Sequence, residues 1–127
     1  MKLFIILFSL IFSTYTYATN EDAATNNFAH EAAECSAYFL FASAAPGLGE
    51  KTALGLQSKY QQLFQISAAL SSNELAKARV ELSIKTMKRE MHENWKNMSI
   101  INNKYGYPCI DLANDPEERF KYWLNKE

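Results

Sequence analysis

Residues 28–42, FAHEAAECSAYFLFA, constrain the fold more than any other part of the chain. Phe28, Ala32, Cys35, Phe39 and Ala42 recur at steps of four, three, four and three residues, which sets them on one stripe of an α-helix. A helix carrying such a stripe has to bury it against other elements. Cys35 lies mid-stripe, and the chain's other cysteine, Cys109, lies far downstream in YGYPCID. A bond between the two would fasten the first helix to the segment that leads into the last.

The N-terminus bears on whether that bond forms. Met1 and Lys2 precede an apolar run from Leu3 to Phe12 and a small-residue segment from Ser13 to Ala18. This is the pattern of a secretory signal peptide over residues 1–18, with a single mature domain over 19–127. The apolar run is too short for a hydrocarbon core of roughly 30 Å, which takes about 20 residues to cross, so no stable membrane insertion is expected after cleavage. Two cysteines in an exported chain, too far apart for a CxxC redox motif, predict a structural disulfide and a periplasmic or secreted location. Closing a loop of about 75 residues contributes roughly 4 kcal/mol in the chain-entropy description.

The mature part is sized for one domain with a modest core. Of 13 basic residues only Lys2 lies in the leader, against 14 acidic ones. A mature charge of about −2 predicts no general attraction to nucleic acid or anionic membrane.

The periodicity predicts helices and no strands. The first is expected from near Asn26 to about Ala45, ended by Pro46-Gly47-Leu48-Gly49. The second spans Glu50 to Leu70. Ser71 and Glu74 form a capping box for a third. On it Val80, Ile84, Met87, Met91, Trp95 and Met98 keep a helical step, so it is expected to run unbroken to about Asn103, with Leu75, Ala78 and Leu82 widening its buried face. Tyr105-Gly106-Tyr107-Pro108-Cys109 then predicts a helix stop and an ordered loop to Asn114. Asp115-Pro116-Glu117-Glu118 starts a short terminal helix ending near Asn125. The expected architecture is all-α: a small antiparallel bundle of about four helices stapled by one disulfide.

Few residues carry obvious chemistry. His30 to Glu34 resembles the start of an HExxH helix, but glutamate stands in place of the second histidine, so the peptidase motif is incomplete. His30 and Glu34 still share a helix face and, with Met87, Met91 and His92, form the candidate metal ligands, thioether and imidazole being soft donors suited to copper. The competing account is that Met87 and Met91 lie on the apolar stripe as core filling. Glu31, Glu34 and Glu90 are the residues a carboxylate-based enzyme would have to draw on.

Lys85, Lys88 and Arg89 form a small cationic cluster. Tyr105, Tyr107, Phe120, Tyr122 and Trp123 crowd the C-terminal quarter, where excess aromatic residues can mark a binding surface. The candidate partner-binding residues are therefore Lys85, Lys88, Arg89, Tyr105 and Tyr107. No GxSxG elbow, phosphate-binding glycine loop or haem-attachment motif occurs. The preferred expectation is a non-enzymatic, cofactor-free module that binds another protein, as an inhibitor, immunity factor or accessory subunit does. The alternative is a carrier of a metal or small ligand on the long helix.

Overall fold

The computed structural model describes residues 20–126, so the leader assigned to residues 1–18 lies outside the described residues. Within them the chain is helical, with no strand. Its helices are α1 (Asn20–Ser43), α2 (Glu50–Leu70), α3 (Asn73–Glu90), α4 (Met98–Ile101), α5 (Tyr107–Asn114) and α6 (Pro116–Asn125). A 3₁₀ turn at Trp95–Asn97 precedes α4, and a π-helical turn at Asn102–Gly106 joins α4 to α5.

α1 is the hub. The expected stripe is buried, and so are Ala29, Ala33, Ser36, Ala37, Tyr38 and Phe41 on its other sides. α2, α3, α5 and α6 pack around the helix so that no position from 31 to 42 is exposed, while Ala23, Asn26, Asn27 and His30 keep one face of its first half in water. Small side chains let α2 come close enough for side-chain-to-backbone bonds. The Ser67 hydroxyl donates to the Ala29 carbonyl at 2.7 Å, and the Ser36 hydroxyl to the Tyr60 carbonyl at 3.1 Å. These bonds pair 29 with 67 and 36 with 60, so α1 and α2 run antiparallel. α1 also begins at Asn20, earlier than Asn26, with Glu21 and Asp22 in the first turn, where carboxylates suit the helix dipole.

Cys35 and Cys109 are bonded, their Cα atoms 5.1 Å apart. The disulfide joins the middle of α1 to the first turns of α5.

Four further details depart from the sequence expectation. The cap of α3 is Ser72, whose hydroxyl accepts from the Leu75 N–H at 3.0 Å; Ser71 instead donates to the Ser67 carbonyl at 2.6 Å and closes α2. α3 stops at Glu90 although its apolar period continues. The His92 and Glu93 backbones both take φ 54°, and their N–H groups bond the Arg89 and Lys88 carbonyls at 3.0 and 2.8 Å, a Schellman closure with histidine where glycine is usual. Asn94 then caps the next turn through Lys96 N–H at 3.0 Å, and the Asn97 amide satisfies the Met91 carbonyl at 3.0 Å. With helix-end groups answered by side chains, the chain reverses and lays Trp95 on Phe41, ring centroids 4.9 Å apart.

The flanking residues Leu75, Ala78 and Leu82 face outward, Leu82 being 60% exposed. Finally, residues 103–114 are helical rather than a loop. Pro108 falls in the first turn of α5, where a missing N–H costs little, and the wider π turn before it relieves the carbonyl clash that proline makes in a regular helix. Gly106 is helical too; a Cβ there would lie 3.2 Å from the Tyr38 hydroxyl, so its role is close approach rather than helix termination.

Candidate functional site

α5 and α6 meet at a corner held from several directions. Asp115 ends α5 and caps α6, its carboxylate accepting the Glu118 N–H at 3.1 Å, with Pro116 at the start of the new helix. The disulfide ties α5 to α1, and the Gln62 amide donates to the Ala113 carbonyl at 3.3 Å from α2. α6 is fixed to α1 by Phe120 on Phe28, centroids 5.4 Å apart, and by a polar node around Glu31.

At that node Arg119 Nε donates to both Glu31 oxygens at 2.8 and 2.9 Å, and Trp123 Nε1 donates to one of them at 2.6 Å. The Glu31 side chain is 16% exposed, so its charge is largely withdrawn from water and answered by a guanidinium and an indole N–H. Arg119 in turn lies over the Tyr122 ring at 4.1 Å and near the Trp123 ring at 5.4 Å. One guanidinium is therefore held between a carboxylate and aromatic faces.

Between the two helices runs a groove of about 610 Å³. Leu112 and the Glu31–Arg119 pair line its inner part; Tyr107 and Asp111 stand on the α5 wall, Glu118 and Tyr122 on the α6 wall. Tyr107 is 76% and Tyr122 45% exposed. Each wall carries a tyrosine and a carboxylate four residues apart, hence one turn apart on a single helix face. Among the described residues neither Asp111 nor Glu118 forms an ion pair.

A second polar node lies under the π turn. The Tyr105 hydroxyl bonds both Glu90 oxygens at 3.1 Å, Lys104 Nζ donates to Glu90 at 2.6 Å, and the Tyr38 hydroxyl donates to Asn102 Oδ1 at 3.0 Å. Burial raises the pKa of Tyr38 and of Tyr105 above the usual phenol value. The hydrogen bond to Glu90 raises that of Lys104.

The residues proposed from sequence scatter over this framework. Met87 and Met91 are buried in the core, while His92 is exposed in the left-handed turn after α3. His30 is exposed on α1 and Glu34 half-buried. No three His, Cys, Asp or Glu side chains converge as metal ligands among the described residues. Glu31 and Glu90 belong to separate nodes. Lys85, Lys88 and Arg89 are exposed near the end of α3, where cations suit the dipole.

Of the two candidate tyrosines, Tyr105 is buried with its hydroxyl on Glu90, so it faces inward and not toward a partner. Tyr107 stands at the groove mouth. Sequence reasoning passed over Asp111, Glu118 and Arg119; the signal available for the first two was their four-residue spacing from Tyr107 and Tyr122. No protein-family model, curated protein or solved structure matches this chain.

Proposed function

We propose that the protein is exported and acts without catalysis, binding another protein through the α5–α6 groove in the periplasm or outside the cell, as an inhibitor, immunity factor or accessory subunit. The observation that carries this reading is the pair of exposed tyrosines, Tyr107 and Tyr122, flanking a concave surface on a corner fixed by a disulfide, a helix cap and the Glu31 node. Aromatic residues on rigid supports supply contact area at low entropic cost, which is why they anchor protein interfaces. The charged pair within the groove supports a recognition role, because Glu31 and Arg119 are committed to each other and hold the corner rigid. A structural disulfide suits an oxidising compartment, and no described helix is long and apolar enough to cross a membrane.

Capture with the purified protein as bait, from the native compartment, tests the reading. A Tyr107→Ala/Tyr122→Ala variant should lose the partner while keeping the wild-type circular dichroism spectrum. Recovery of the same partner by wild type and variant alike would remove the groove from the account.

A further inference from the structure

Resting on the protein-binding reading, we infer that the α5–α6 groove seats an arginine-bearing basic segment of the partner protein, with a guanidinium between Tyr107 and the carboxylates of Asp111 and Glu118. The chain itself displays the recognition chemistry. Arg119 is held by the Glu31 carboxylate at 2.8 Å and stacks over Tyr122 at 4.1 Å. Tyr107 and Asp111 offer the same two partners, an aromatic face and a carboxylate one turn apart, with no cation of the described chain paired to that acid.

The charge lining the groove is complementary to such a guest. Among the lining residues Glu31, Asp111, Asp115 and Glu118 stand against Arg119, which is committed to Glu31, and the nearby Lys126 Nζ lies 5.6 Å from the Tyr122 ring on the α6 wall. Asp115 and Glu118 are partly answered by the N-terminal dipole of α6, since both sit at its start. Asp111 has no such complement. It lies in the last turn of α5, where the dipole presents partial negative charge and disfavours a carboxylate. A cation delivered there meets a carboxylate that no cation of the described residues already pairs.

Arginine fits better than lysine because its planar fork takes a carboxylate in the plane and a tyrosine ring on its face. The groove volume of about 610 Å³ falls in the roughly 300–1,000 Å³ range of sites that hold a whole ligand, more than a lone ion requires. A peptide segment with an arginine anchor suits these dimensions.

The test uses a hexa-arginine peptide as probe, with hexa-glutamate and spermine as comparators, titrated into the purified disulfide-bonded protein at low salt. Wild type should bind hexa-arginine, weakly bind spermine and ignore hexa-glutamate. Asp111→Asn/Glu118→Gln should weaken hexa-arginine at least about tenfold. Tyr107→Ala should weaken it too, whereas Glu74→Gln/Glu81→Gln, which removes equal charge from α3, should leave it unchanged.

Equal losses in the two double variants would reduce the effect to net charge and overturn the assignment, as would no binding by wild type. Spermine binding as tightly as hexa-arginine would also overturn it, in favour of a small-cation site. Partner capture gives the separating readout. A partner retained by Asp111→Asn/Glu118→Gln overturns the arginine seat and leaves the binding role standing, whereas hexa-arginine binding without any captured partner supports the seat and counts against that role.

Discussion

Trp123 donates its indole N–H to Glu31 at 2.6 Å across 92 residues, joining the last helix to the first by a charge-assisted hydrogen bond. Arg119 shares the same carboxylate. Replacing Glu31 by alanine leaves a partly buried guanidinium and an indole N–H without their acceptor, at a cost of about 2 kcal/mol, read as a lower urea midpoint. Glu31→Gln keeps an acceptor and should cost about half as much. Loss of α6 anchoring should appear in the same variants as increased exposure of Trp123 to fluorescence quenchers.

The disulfide closes a loop with a sequence separation of 74. Cys35→Ser/Cys109→Ser should lower stability by about 4 kcal/mol, much of what a domain this size has. The measurement is the shift in denaturation midpoint between oxidised wild type and the double variant.

His92 occupies a left-handed position, φ 54°, that glycine adopts without steric penalty. Its side chain is exposed, so little packing is lost on removal. His92→Gly is therefore expected to raise stability by about 1 kcal/mol, seen as a higher midpoint with an unchanged slope.

Alkaline pH should act on the node beneath the π turn. Tyr38 and Tyr105 have raised pKa values through burial, and Lys104 through its bond to Glu90. A group whose folded pKa exceeds its unfolded value keeps its proton longer when folded, so its stabilisation is complete below the unfolded value and is lost as pH rises through the folded one. The midpoint should thus hold steady from neutral pH and fall above about pH 10, where unfolded tyrosines begin to ionise. Tyr105→Phe should lose less over the same interval.

Much of this architecture was legible in the sequence because local rules agree with the tertiary outcome. The Glu50–Leu70 helix, the Asp115-Pro116 start of α6 and the Cys35–Cys109 bond all follow from patterning, capping or cysteine arithmetic. The misread points are those where long-range packing outweighs a local signal. Gly106 and Pro108 usually end a helix, yet contact with Tyr38 and a π turn hold them inside one. The period from Val80 to Met98 is helical, yet Asn94, Asn97 and the pull of Trp95 onto Phe41 fold it back.

The candidate site was less visible. Tyr107 and Tyr122 drew notice as aromatic residues, but Asp111, Glu118 and Arg119 look like ordinary surface charges until α5 and α6 are set at their corner. The buried Tyr105 shows the converse, since composition alone cannot tell which aromatic of a crowded segment points inward.

The central position of α1 bears on how the molecule comes into being. A polypeptide made from its N-terminus releases the hub before the helices that sheathe it, and Cys109 and the Trp123 clasp follow 74 and 92 residues after Cys35 and Glu31. Until their mates emerge, Phe41 lacks Trp95, Cys35 lacks Cys109 and Phe28 lacks Phe120. Completion of the core is thereby deferred to α5 and α6, and a chain stopped before them would be a greasy, thiol-bearing fragment suited to chaperones and proteases.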